Sequence, residues 1–581
     1  MLHLPLEKFP VREKLIGFYA ILSALPLLHG EAFANALAKG NRVTAAADAA
    51  VRAAPSPSSQ LLGSNRLGTL GIVVDGPVTA GGTTWWKVDY EGILDGWSAA
   101  GQLGAAYFPP RESAGGWRSL VGINATPSAA QKTNIRNQAG IDWDKLKLAH
   151  NYTQSAYAGS SLLVIRNGWI AGEWGSKSVT GIGSISKSLT GLTLAKLFDL
   201  SAAGSLPRRI GPDDFVHSYV QPEWSAKDAR KKQIRVDHLL TMSSGLTPDD
   251  KPKQPDYLKL LLAQPVKIAP EREWSYQSMS VDLLGVAMQR LAGKPVRELF
   301  NQHIASRLGI ANIPWDGFDG YTRASSGAEM APRDLARIGY LMMMMNGRWG
   351  SGASQSQVVS AANVAYLRRG PACVQTAAFK ATPVSSFTPD TTSNQFYGRL
   401  WWTNHRGTAL GANVPGDAFY ALGLREKLLI VVPSLNLVVV RIGEAPVSSG
   451  SFRRELAKRV MAAVTTPTPT FNTARVASLT LMNNATGKPV TLCDPMPADA
   501  VVDYAKLGTR NLSLRANTAP AAVGSLLFDL GNHFPAETKT TGNSGARATW
   551  SPTVGPHTVT VTPYASGGAA GLPLTQSYTV R

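Results

Sequence analysis

The 581-residue chain has only two cysteines, Cys373 and Cys493. They lie far apart and form no CxxC or Cys/His spacing, so a disulfide is permitted but no zinc site is implied. His-Glu-x-x-His, a Walker loop and a GxGxxG after a strand are also missing. No metal or cofactor is therefore expected. Gly-x-Ser-x-Gly is absent, which removes the common nucleophile-elbow hydrolase. Long basic runs are absent too, despite a formal net charge of +19 and a pI near 9.8. The longest groups are Arg230-Lys231-Lys232 and Arg453-Arg454. Such a balance favours anionic partners, namely peptidoglycan or another wall polymer, membrane surfaces or nucleic acid, and its scatter points to a solvated basic surface and not to a dedicated nucleic-acid site. Long hydrophobic runs are confined to Leu15–Leu28, which is short and interrupted by Pro26. No transmembrane span is expected in the mature chain.

That one apolar run has the form of an export signal. Lys8, Arg12 and Lys14 precede it, and Ala32-Phe33-Ala34 follows as a small-x-small site. Residues 1–34 are read as a signal peptide cleaved after Ala34, with an uncleaved anchor helix as the alternative. The mature protein is then expected in the periplasm or outside the cell. With 44% hydrophobic and 17% charged residues, the remainder is globular, and its length calls for several domains.

The texture of the chain changes three times. From 44 to 104, short strand-like pieces alternate with Gly, Pro and Asp, the pattern of a small β-barrel. Val51-Arg52, Pro55-Ser56, Gly68-Thr69, the Trp85-Trp86-Lys87-Val88 strand and Gly96-Trp97 resemble the bacterial SH3-type domain. That resemblance implies binding of cell-wall or peptide ligands. Adjacent strand residues point to opposite faces, so at least one of Trp85 and Trp86 belongs to a core. Residues 104–120 read as a linker. From 121 to 464 helix and strand signals alternate. The segment 160–175 reads as a hairpin turning at Asn167-Gly168, and 281–293 and 333–347 read as amphipathic helices. A Thr/Pro stretch, 465–471, forms a second linker. From 472 to 581, apolar and polar residues alternate as in a β-sandwich, similar to Ig-like modules on secreted bacterial proteins.

Chemistry concentrates at Val179–Phe198, VTGIGSISKSLTGLTLAKLF. Ser184 and Lys187 stand three apart at a helix start, so they share a face. A serine hydroxyl needs an adjacent base to attack, and burial disfavours the charged form of an amine. The unpaired N–H groups of a helix start can also face a developing oxyanion. Alone, Ser-x-x-Lys is a weak signal. It gains weight from Tyr276-Gln277-Ser278 before the next helix, and from Ala421-Leu422-Gly423-Leu424 in a strand.

With HLLTMSSGL (238–246), the Arg333–Arg337 helix, Asn346-Gly347-Arg348-Trp349 and VVPSLNLVVVRIG (431–443), these pieces resemble the serine β-lactamase/penicillin-binding superfamily. The likeness is to its class C-like branch of esterases, D-aminopeptidases and 6-aminohexanoate-dimer hydrolases. The resemblance implies an α+β domain with an antiparallel sheet. It implies Ser184 as acylated nucleophile, Lys187 as the amine beside it and Tyr276 as a proton carrier. It also implies an oxyanion hole from the N–H groups of Ser184 and Leu424, the residue after Gly423.

Two departures stand out. Ser278 occupies a place that commonly holds Asn, as in the aminohexanoate-hydrolase-like group. Ala421 stands where Lys or His commonly grips a substrate carboxylate. Arg425 and Lys427 are the nearest bases, read as solvated turn residues. The pair Asp237 and His238 invites a triad, but sits in a helix facing away from the motifs. The expectation is thus an exported serine hydrolase acting on a small amide or ester. A D,D-peptidase or β-lactamase, and a non-catalytic wall-binding protein, are the rival readings.

Overall fold

In this computed structural model, the residues described are 37–581 apart from 47, 92–93, 221–223, 225–227, 248–254, 344–346, 351–354, 371–379, 382–395, 445–449, 466–469, 472, 491–492, 498–499, 532–536, 541–546, 551, 567 and 569. The signal-peptide assignment at 1–34 and Cys373 fall outside them. Cys493 is buried and disulfide-bonded.

The centre is a six-stranded antiparallel sheet. Its strands are β1 (Ser161–Arg166), β2 (Trp169–Trp174), β3 (Trp402–Thr403), β4 (Phe419–Gly423), β5 (Lys427–Val432) and β6 (Leu437–Ile442). They lie in the order β3-β4-β5-β6-β1-β2. Strands β4, β5 and β6 are buried along their whole length. That burial explains why they read as continuous apolar runs instead of alternating ones. The β1–β2 hairpin turns at Asn167-Gly168, both at positive φ, as two-residue turns that match strand twist require.

Among the described helices, α1 (Trp143–Ala156), α2 (Ile185–Ala202), α4 (Pro332–Met343) and α5 (Gly450–Ala463) lie about the sheet, and α3 (Ser278–Ala292) packs against α2. Helix α2 is buried on nearly every side, so its apolar residues show no single stripe. Helix α4 instead lays one face on the sheet, where a Cβ on Gly339 would meet Leu429, Val431 and Val438. Met342 and Met343 are buried in the same core.

The N-terminal region forms an eight-stranded sheet in the order Thr470–Phe471, Leu61–Asn65, Ala49–Arg52, Gly96–Ala99, Thr83–Tyr90, Leu70–Ala80, Arg42–Ala45, Leu103–Ala105. Its described pairings do not close, so a sheet with two edges stands where a closed barrel was expected. One edge strand, Thr470–Phe471, comes from the stretch read as the second linker; it pairs with Gly63 and Ser64. Both Trp85 and Trp86 are buried; Trp85 Nε1 donates to Ala80 O at 3.1 Å.

The 104–120 segment is not a free linker either. Trp117 and Phe108 pack edge-on against Tyr340 of α4. Arg337, fully buried, donates to Pro109 O at 2.7 Å. A buried guanidinium must find acceptors, and the carbonyls of this Pro-rich stretch supply them. Beyond residue 472, a four-stranded and a five-stranded sheet share one apolar cluster. Leu479, Leu481 and Leu514 come from the first; Leu526, Phe528, Val559 and Val561 come from the second.

Candidate active site

Helix α2 begins where backbone is pressed against backbone. Thr180–Gly181 pairs with Glu329–Met330, and Gly183 turns with φ +58°. A Cβ on Gly183 would lie 3.2 Å from the Leu424 nitrogen. A Cβ on Gly423 would lie 2.4 Å from Ile182 O. No side chain fits between the end of β4 and the start of α2. The Leu424 amide is therefore brought beside the residue that precedes Ser184.

Ser184 is the N-cap residue of α2, and its hydroxyl makes no capping hydrogen bond. One turn in, Lys187 is 1% exposed. Its Nζ donates to Ser184 Oγ at 3.0 Å, to Ser278 Oγ at 3.3 Å and to Ser325 O at 2.9 Å. It also stands 5.0 Å from the centroid of the Tyr276 ring. Thus three sequence-distant pieces meet at one ammonium.

An aromatic cluster sets the Tyr276 ring. Trp402 stacks on it with centroids 5.8 Å apart, and Tyr397 meets it edge-on at 5.8 Å. Trp402 stacks in turn on Tyr420 of β4. Burial pushes the Tyr397 hydroxyl well above its ordinary range, so it stays protonated.

The turn carrying Leu424 is strained. Arg425 and Glu426 are both left-handed, at φ 59° and 60°, which costs roughly 1–3 kcal/mol per residue. It is clamped from below. Arg441 Nη1 donates to Arg425 O, Glu426 O and Gly443 O at 2.9–3.0 Å, and Arg453 pairs with Glu426 at 2.9 Å. Lys427 and Arg425 both pair with Glu444. Lys427 holds the Glu444 carboxyl below the ordinary carboxylate range. Lys427 is buried and so departs from the solvated turn residue expected, whereas Arg425 is exposed in the turn as expected. The Ala421 position is buried and flanked by apolar neighbours on β4 and β5.

Asp237 and His238 take no part. Burial alone would raise the Asp237 carboxyl, but Arg399 at 2.8 Å and the Tyr366 hydroxyl outweigh it and hold it low. His238 Nδ1 accepts from the Arg235 N–H. Among the described residues no cluster of three His, Cys, Asp or Glu could hold a metal ion. No described helix is long and apolar enough to cross a membrane.

Comparison with known families gives a match to the Beta-lactamase family model over residues 147–464. The chain belongs to the Beta-lactamase family. The family's members are serine hydrolases, and the matched segment holds Ser184, Lys187, Tyr276, Ser278, Gly423 and Leu424. A Beta-lactamase/D-alanine carboxypeptidase from Yersinia pestis, complexed with citrate, is 20% identical with a TM-score of 0.41; it covers 58% of this chain and 100% of its own. EstA from Arthrobacter nitroguajacolicus Rue61a is 16% identical with a TM-score of 0.41, covering 55% and 95%. A Beta-lactamase/D-alanine carboxypeptidase from Pseudomonas syringae is 17% identical with a TM-score of 0.40, covering 55% and 98%. A comparison with curated proteins returns no match.

Two residues of this Beta-lactamase-family site escape the motifs. Ser325 supplies the carbonyl that holds Lys187, from a loop with no sequence signature. Asp282 is a wholly buried acid in the otherwise apolar stretch VDLLGVAM. Its spacing of four from Ser278 was a usable signal, because i and i+4 share a helix face.

Proposed function

We propose that the chain is an exported serine hydrolase that forms and hydrolyses an acyl-enzyme at Ser184, on an amide or ester without a free carboxylate at the Ala421 corner. The observation that carries the reading is Lys187 Nζ at 3.0 Å from Ser184 Oγ, with Tyr276 over the same group. In the acylation step Ser184 Oγ bonds to the substrate carbonyl carbon, and its proton passes to the Lys187–Tyr276 pair. The oxyanion faces the Ser184 and Leu424 N–H groups. The carbonyl's bond to the leaving oxygen or nitrogen then breaks, and the leaving group takes the proton. Water repeats the sequence on the acyl-enzyme and restores Ser184.

Substrates with a free carboxylate are disfavoured, because Arg425 and Lys427 are both held by Glu444. That weighs against the D,D-peptidase and β-lactamase reading. The SH3-like resemblance of 44–104 and the basic charge support retention at a wall polymer.

A four-substrate panel tests the reading: a fluorophosphonate probe, p-nitrophenyl butyrate, aminohexanoate dimer and a labelled penicillin. Labelling by the first, turnover of an ester or amide and weak penicillin labelling are expected. Strong penicillin labelling would favour the rival enzyme, and complete inertness would favour the non-catalytic wall binder.

Gly183→Ala probes the oxyanion corner separately. The added Cβ would crowd the Leu424 N–H in a left-handed backbone. A loss of kcat on the order of 100-fold to 1,000-fold is expected, as when one oxyanion donor is removed. Steady-state kinetics with p-nitrophenyl butyrate read it; unchanged kcat would place the oxyanion elsewhere.

A further inference from the structure

The Ser-x-x-Lys spacing accounts for the contact of Lys187 with Ser184, but not for what holds the lysine's far side. That side rests on the Ser325 carbonyl at 2.9 Å. The loop carrying it is stitched to α2 at two further points. Thr190 Oγ1 donates to Ala324 O at 2.7 Å, and Ser186 Oγ accepts from the Ala328 N–H at 3.1 Å. The Ser325 peptide is held in turn by Asp282. One carboxylate oxygen accepts from the Ser325 N–H at 2.8 Å; the other accepts from Ser325 Oγ at 3.0 Å and from Tyr257 Oη at 2.9 Å.

Asp282 and Ser278 lie one turn apart on α3. One helix face therefore grips Lys187 twice, directly through Ser278 Oγ and indirectly through Asp282 and Ser325. A wholly buried carboxylate is costly unless charge or hydrogen bonds compensate it. Here the compensation comes from Ser325, from Tyr257 on the helix Tyr257–Ala263, and from the charge of Lys187 on α2. Arg323 stands over the Tyr257 ring at 5.5 Å, and Tyr276 faces Lys187 from the opposite side.

We propose that Asp282 is the positioning residue of this site: it fixes the Ser325 carbonyl that orients Lys187, and it presents a carboxylate charge on the Lys187 side of α3. The proposal rests on the acyl-transfer reading above. A core residue with a merely structural role would need neither the charge nor a link to the reaction. Burial pushes the Asp282 carboxyl up to about 6, so acidification through that range neutralises it in the folded protein. The support for Lys187 then weakens.

The test compares the full chain with Asp282→Ala and Asp282→Asn, using p-nitrophenyl butyrate between pH 5 and pH 9, with crystal structures of both variants. Asp282→Ala is expected to lower kcat about 10-fold to 100-fold through misplacement of the base, with KM within about threefold. Asn keeps an acceptor for the Ser325 N–H but cannot carry charge. It is expected to recover part of kcat and to lack the fall in kcat that is expected of the unaltered protein as pH drops through about 6. Unchanged kcat in Asp282→Ala, or an unaltered acid limb in Asp282→Asn, overturns the proposal. If the unaltered protein is inert to the whole substrate panel, the acyl-transfer reading fails, and the crystal structures decide the positioning claim. Lys187 Nζ still on Ser325 O in Asp282→Ala overturns it, and its departure supports it.

Discussion

Ser184→Ala is expected to abolish turnover of p-nitrophenyl butyrate, with kcat falling on the order of 10³-fold or more, as when the nucleophile of a serine hydrolase is removed. Fluorophosphonate labelling should vanish with it. The size of the effect follows from the geometry. Ser184 Oγ is the hydroxyl presented at the start of α2 with Lys187 at 3.0 Å, and Ser186 and Ser188 on the same helix are occupied elsewhere. Ser186 Oγ donates to Gly183 O, and Ser188 Oγ donates to Leu400 O. Neither can take over. The fold should survive, because Ser184 makes no side-chain cap and Lys187 keeps its contacts with Ser278 and Ser325. A stability change within about 0.5 kcal/mol is expected, as for substitutions away from core packing and caps. Thermal unfolding beside the kinetics separates lost chemistry from lost structure. A variant that keeps its activity would remove Ser184 from the mechanism.

Lys187→Met should be nearly as damaging to activity while leaving the protein folded. Methionine fills much of the same volume in the core but cannot exchange a proton. Losing a positioned acid–base group costs about 10²-fold to 10⁴-fold, and kcat should carry that loss. Stability moves by a different balance. The native protein buries an amine at 1% exposure, and methionine avoids the desolvation of that amine. Against that, Ser325 O loses its lysine donor and buried Asp282 loses the Lys187 charge that helps compensate it, and removing one partner of a buried charged pair is destabilising. A lower Tm in a still-folded protein, with turnover lost, is the expected pairing. Largely retained kcat in that variant would make Lys187 a structural residue instead.

The parts of this site that could be read from sequence are those carried by local spacing. Ser184 and Lys187 lie within one helical turn, Tyr276 and Ser278 precede an amphipathic helix, and Gly423 ends a long apolar strand. Local periodicity and turn chemistry mark each of them. The Asn167-Gly168 hairpin and the buried β4–β6 strands were legible for the same reason. What escaped depends on contacts across the chain. Ser325 reaches Lys187 over a separation of 138 residues, and nothing near Ser325 announces it. Trp117 and the carbonyl of Pro109 turn an apparent linker into packed structure, because Arg337 is buried beneath them. Thr470–Phe471 joins the N-terminal sheet only because the fold brings that sheet's edge to it. The role of Lys427 was misread for a related reason: its partner, Glu444, lies beyond β6 and not in its own turn.

The central claim is a covalent intermediate on Ser184. The most direct measurement is intact-protein mass spectrometry after brief reaction with a fluorophosphonate, followed by peptide mapping. A single adduct on the peptide containing Ser184, absent in Ser184→Ala, is the predicted result. An adduct on another residue, or none in a folded protein, would contradict it.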